Sequence, residues 1–191
     1  MSRRSIFTVR FRRRRAGLTD YKSRIRLLKS GEPRLVIRKS LNNLTAQIIT
    51  YSRNGDNVLI SANSGELKKL GWIANTGNIP SAYLVGLLLG KRALKSNIKS
   101  AIVDIGIAVS SKGSRTYSAL KGAIDAGLDI PYNKDVLPDD KRVSGVHIAE
   151  YSKKLSQEEL GKKFSRYLKD NVAPADIGKL FESVKEKIEK L

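Results

Sequence analysis

Apolar residues recur along this chain in two rhythms, and the switches between them mark out the elements. Residues 34–38 form a short β-branched run, and residues 45–51 alternate loosely between apolar and polar. Both patterns suit strands with a buried face. Arg53, Asn54, Gly55 and Asp56 follow, and the Asn-Gly pair favours a type I′ hairpin turn. Residues 58–62 return as a third strand, which completes an antiparallel meander. From Pro80 the rhythm changes. Leu84, Leu87, Leu88 and Leu94 fall at helical intervals, with Pro80 at the first helical position. Residues 101–105 (Ala-Ile-Val-Asp-Ile) read as a buried strand. Tyr117, Leu120, Ile124 and Leu128 predict a second helix, with Gly127 as its C-cap.

The last forty or so residues are helical in pattern. Ser156 and Glu159 form a capping box ahead of Leu160, Phe164, Tyr167 and Leu168. Pro174 opens a final helix whose apolar face is Ile177, Leu180, Phe181, Val184, Ile188 and Leu191. Charges in this tail nearly balance, so its apolar face needs a surface to pack on, in its own domain or in a neighbour. Strand, helix, strand, helix after a meander predicts an α/β fold. Its sheet is mixed, a meander plus a βαβ unit, with helices packed on it. Residues 1–29 stand apart as a basic arm, residues 30–151 as the α/β core, and residues 152–191 as a helical C-terminal extension.

Charge changes the picture most. The 191 residues hold 37 Lys+Arg against 18 Asp+Glu, a net of +19. Self-repulsion of that size opposes compaction unless a polyanion neutralises it, and nucleic acid is the usual one. Residues 1–29 hold 11 of the basic residues and one acid, Asp20. Arg12, Arg13, Arg14 and Arg15 form a solid block flanked by Arg3, Arg4 and Arg10, with Phe7, Phe11 and Tyr21 interleaved. Adjacent guanidinium groups are too costly to desolvate in a core. The arm is therefore expected to be disordered in isolation and to order against phosphates, with residues 18–29 extending as a helix in the complex. Arg24, Arg26 and Lys29 carry the charge onward. Arginine and aromatic planes stack on unpaired bases, which RNA loops offer and duplex DNA does not.

Two loops add to the arm. Arg38, Lys39, Ser40 and Asn42 sit at a tight turn after the first strand. Lys112, Gly113, Ser114 and Arg115 precede a helix, where backbone N–H groups and two cations make a phosphate site.

Other chemistry has little to stand on. There is no cysteine, which excludes disulfides and thiolate catalysis, and one histidine, His147. Gly86 and Gly90 before Lys91 imitate a phosphate loop but lack its spacing and its hydroxyl, and they lie within an apolar helix. They are better read as close-packing positions. Asp139 and Asp140 read as a solvated turn. The most apolar run, residues 83–90, falls well short of the about 20 residues a membrane span needs. No apolar stretch follows the charged start, so it is no secretory signal. Its arginines cluster in a block, unlike those of a mitochondrial transit peptide. An RNA-modifying enzyme with a basic arm and a chromatin or membrane-surface protein remain as alternatives to a structural RNA binder.

Longer strings carry a resemblance. Arg12-Arg-Arg-Arg-Ala-Gly-Leu-Thr-Asp-Tyr-Lys-Ser-Arg-Ile-Arg-Leu-Leu-Lys-Ser-Gly-Glu-Pro-Arg-Leu-Val-Ile-Arg-Lys-Ser40 is the first. Leu120-Lys-Gly-Ala-Ile-Asp-Ala-Gly-Leu-Asp-Ile-Pro131 and Arg142-Val-Ser-Gly-Val-His-Ile-Ala-Glu-Tyr151 are the others. Over residues 3–151 the chain resembles the large-subunit ribosomal family numbered eighteen in archaea and five in eukaryotes. The archaeal type is the better match, since eukaryotic members carry a longer tail. The resemblance implies an α/β domain with an N-terminal arm, no catalysis and no cofactor or metal. It implies a cytoplasmic ribosomal protein that holds 5S rRNA in the central protuberance. There it would meet large-subunit rRNA and neighbouring proteins, including the other protein that shares the 5S rRNA. The positions it implies for RNA contact are Arg12 to Arg15, Thr19, Asp20, Tyr21, Arg24 and Arg26. The turn at Lys39, Ser40 and Asn42 and the loop at Lys112, Gly113, Ser114 and Arg115 join them.

Overall fold

The computed structural model describes residues 8–170 and 172–191, so Arg3 and Arg4 lie outside the described residues. The arm contains a single turn, α1 (Arg12–Arg15), and a longer helix, α2 (Tyr21–Leu28). It leads into β1 (Arg34–Lys39), β2 (Leu44–Ser52) and β3 (Gly55–Asn63). The helix α3 (Ile79–Lys95) crosses over to β4 (Ile102–Asp104), and α4 (Arg115–Asp125) follows. The strand order is β3-β2-β1-β4, antiparallel except for the parallel pair β1 and β4. This is the mixed sheet expected from the pattern. Inner strand β1 is buried from Arg34 through Ile37 on both of its faces.

The hairpin between β2 and β3 forms, but not with a type I′ turn. That turn needs positive φ at both central residues. Among the described residues Asn97 is the one non-glycine with positive φ, so Arg53 and Asn54 lack it. Ser52 pairs with Gly55, which itself takes φ 142°, a region open to a residue without Cβ. Farther along, the register slips so that Ile48 faces Ile60 while Ile49 faces Val58.

Helix α3 runs through the middle of the protein and is buried from Pro80 to Gly90. One side packs on β2 and β3, and the other lies against α4. Glycines set that second contact. A Cβ on Gly86 would overlap the carbonyl oxygen of Ala119, and one on Gly122 would overlap the carbonyl of Tyr83. The two backbones touch because neither glycine carries a side chain. After α4, Gly127 takes φ 108° and its N–H donates to Ile124 O at 2.8 Å, the expected C-terminal stop.

The chain then differs from the periodic reading. Residues to which the pattern assigned no element form α5 (Asp140–Val143) and α6 (Val146–Lys153). The capping box at Ser156 and Glu159 is present, opening α7 (Gln157–Lys163). The expected single helix breaks at Phe164, which leaves helical geometry and packs its ring against Tyr151 and Tyr167. The short α8 (Ser165–Lys169) follows. Pro174 opens a 3-10 turn ahead of the last helix, α9 (Ile177–Glu189). Ile177, Phe181, Val184 and Ile188 of α9 are buried, and Phe181 stacks 5.6 Å from Tyr83 of α3. The tail's surface is therefore its own domain.

The glycine contact predicts a stability outcome. Gly86→Ala and Gly122→Ala must push α3 and α4 apart, which costs about 1–3 kcal/mol or more each. Urea denaturation should show a lowered midpoint for both, whereas Gly161→Ala, whose Cβ meets nothing within 4 Å, should not lower it comparably.

Candidate nucleic-acid interface

Arg34 is 2% exposed, and alternation along β1 turns it away from the face of Leu35 and Ile37. A buried guanidinium keeps its charge and needs carboxylates. Its Nη1 donates to Asp104 Oδ2 at 2.9 Å, and its Nη2 lies 2.9 Å from Asp56 Oδ2. Both aspartates are shared. Arg24 Nη2 donates to both oxygens of Asp56 at 2.8 Å, which ties α2 to the sheet. Arg38 Nη2 donates to Asp104 Oδ1 at 3.0 Å, and its Nη1 donates to Asp104 O at 2.7 Å. Charge alternates along Arg24, Asp56, Arg34, Asp104 and Arg38. Burial alone would raise the Asp56 carboxyl, but hydrogen bonds from Arg24 and Arg34 outweigh it, and the group lies below its usual range.

The arm contains the helix expected within residues 18–29. Helix α2 forms because Asp20 caps it, its Oδ1 accepting from Lys22 N at 3.0 Å and Ser23 N at 3.3 Å. Its Oδ2 accepts from Ser23 Oγ at 2.6 Å, and these bonds from Ser23 hold the carboxyl below its usual value. The ring of Tyr21 packs 5.5 Å from Phe11, and Arg13 Nε donates to Thr19 Oγ1 at 2.8 Å. Arg12, Arg14, Arg15, Arg26 and Lys29 are exposed, and among the described residues no side-chain bond or ion pair engages them.

The two loops also divide into spent and free groups. In the turn, Ser40 Oγ donates to Asn43 O at 3.0 Å and accepts from Asn43 N at 3.0 Å. Lys39 and the side chain of Asn42 stay exposed. In the second loop Lys112 is exposed, and Gly113 takes φ 64°. Ser114 stands at the N-cap of α4, but its hydroxyl is buried without a partner. Arg115 turns inward. Its Nη1 donates to Gly77 O at 2.8 Å and lies 3.2 Å from both Ser40 O and Leu41 O. It clamps the turn against the segment before α3. Arg115 thus joins the turn after β1 to the start of α4, while the arm lies beside Arg38 and the residues at and after the end of β4.

His147 sits in the first turn of α6. Burial, and then the nearby Arg142, push its imidazole below the ordinary histidine value. Asp139 stands at the N-cap of α5 without a side-chain cap bond, and Asp140, exposed like Asp139, accepts from Lys121 Nζ at 2.6 Å. Among the described residues no group of three or more His, Asp or Glu could hold a metal ion. Among them, too, no helix is long and apolar enough to cross a membrane.

Residues 5–100 and 96–133 match the family model of ribosomal large subunit proteins 60S L5 and 50S L18. The chain belongs to that ribosomal family. It is 46% identical over 183 residues to large ribosomal subunit protein uL18 of Methanothermobacter thermautotrophicus, covering 96% of this chain and 95% of that protein. To uL18 of Methanococcus maripaludis it is 47% identical over 184 residues, covering 95% of each.

Within this ribosomal chain, counting charges found the cations and missed the acids that occupy some of them. Asp104 gave a signal, since an acid inside an apolar strand asks for a buried cation. Asp56 gave none, because acids are common at hairpin ends.

The charge chain generates two outcomes. Asp104→Ala leaves Arg34 short of its main carboxylate and should cost about 3 kcal/mol in urea denaturation. A loss no larger than that of an exposed substitution would mean that water solvates Arg34. The second concerns acid. The folded state holds Asp56 below its unfolded value, so its contribution is complete above that unfolded value and disappears as pH falls through the lowered one. Thermal midpoints of wild type and Asp56→Asn should differ at neutral pH and converge in acid.

Proposed function

We propose that this ribosomal protein binds 5S rRNA and helps anchor it in the central protuberance of the large subunit, as a non-catalytic scaffold in the cytoplasmic ribosome. Large-subunit rRNA and the other protein that shares the 5S rRNA are its neighbours. The observation that carries this reading is the set of exposed cations without a side-chain partner among the described residues. Arg12, Arg14, Arg15, Arg26 and Lys29 lie on the arm, Lys39 lies at the end of β1, and Lys112 lies in the segment that follows β4. Phosphates neutralise such charge. Arg24, Arg38 and Arg115, each held by protein acceptors, keep the surface in shape. Ser40 and Asp20 do the same through the turn and the helix cap.

Two measurements test this. Binding to 5S rRNA should fall steeply with salt and survive excess duplex DNA. Equal affinity for the two at one salt concentration would reduce the protein to a general polyanion binder. Deleting residues 1–17 should weaken binding and leave the thermal transition of the core nearly in place. The division of labour has its own signature. Arg26→Ala should lower the slope of log affinity against log salt by about 1, as loss of one phosphate contact does. Arg115→Ala should weaken binding without changing the slope.

A further inference from the structure

Between the arm and the free side of β4 lies a cleft of about 450 Å³. That falls within the range of small-ligand sites, about 300–1,000 Å³. Its walls are of two kinds. Arg13, Arg24, Arg26 and Arg38 outnumber the carboxylates Asp20 and Asp104, which are bonded within the protein, while Leu18, Ile105 and Ile107 supply apolar surface. Leu18 is 57% exposed and Ile107 is 61% exposed. A surface that met only phosphates would gain nothing from apolar side chains beside its arginines. The mixture suits a ligand with an anionic part and a flat apolar part.

Arg38 narrows the choice. Three hydrogen bonds, to Ile37 O, Asp104 O and Asp104 Oδ1, occupy its Nη1 and Nη2. Gly106 covers part of the guanidinium so closely that a Cβ there would lie 2.9 Å from Cζ. Yet 49% of the side chain remains exposed. A guanidinium fixed in this way and still half exposed is held in position to meet a planar group. Guanidinium planes stack on unpaired bases. Arg26 has no partner among the described residues, and Arg13 uses only Nε internally, so both stand ready for the attached phosphates.

We propose that this cleft receives one unpaired nucleotide of the bound RNA, its base stacked on Arg38 against Ile105 and Ile107, and its phosphates at Arg13 and Arg26. The proposal rests on the RNA-binding reading above and adds a specific subsite to it.

The test uses the full chain with 5S rRNA, read by base-specific chemical modification and by salt titration. In the wild-type complex one unpaired base should lose reactivity. Arg38→Lys keeps the charge and the pairing with Asp104 but removes the plane. Ile107→Ser removes an exposed wall and leaves the core alone. Each should restore reactivity at that base and weaken binding about tenfold, the size of a lost base stack, with the salt slope unchanged. A wild-type complex whose base reactivities neither variant alters would overturn the cleft proposal alone. Failure of the wild-type chain to bind 5S rRNA would overturn the functional reading, and the subsite with it.

Discussion

A positive charge that cannot leave the interior organises this molecule. Arg34 stands on an inner strand at 2% exposure, and its two carboxylates come from different places in the sheet. Asp104 is on β4, directly beside β1, while Asp56 is on β3, two strands away on the other side. One guanidinium therefore senses both outer strands. If either strand shifted, a buried charge would be left without its partner, and that loss is among the largest a single contact can cause.

The same two carboxylates reach outward. Asp56 holds Arg24 on α2, and Asp104 holds Arg38 at the end of β1. Three arginines and two aspartates leave one positive charge in excess, so the chain is stable inside yet still favours an anion outside. Well-packed apolar residues often stabilise a fold as much as a buried ion pair does. What the ionic version adds here is placement. The arm is fastened at a defined point, and α2 becomes part of a shaped surface instead of a loose tether.

The periodic elements were legible because burial imposes rhythm. The leucines of α3, the apolar face of α9 and the β-branched run of β1 each report a single buried face or strand. Short elements escaped. Helices α5 and α6 together carry too few apolar residues, Val143 and Ile148 among them, to establish a period. The turn at Asn54 was misjudged because glycine can take up the unusual geometry one position later. At the site, charge was legible and availability was not. Arg24 is engaged by an acid 32 positions away, and Arg38 by one 66 positions away. No local window contains both partners. Arg115 and Lys112 looked alike in sequence, yet one became a clamp and the other stayed free.

The clamp also links two regions with different duties. Arg115 opens α4, and its guanidinium joins the carbonyls of residues 40, 41 and 77. Helix α4 is itself seated on α3 through glycine contacts deep in the core. A lesion at Gly122, in the core, would tilt α4 and loosen the turn that carries Lys39 and Asn42. In genetic terms, alleles of the core and alleles of the cationic surface would share a phenotype, a failure of assembly. Suppressors of the first would lie in the packing of α3, and suppressors of the second in added charge.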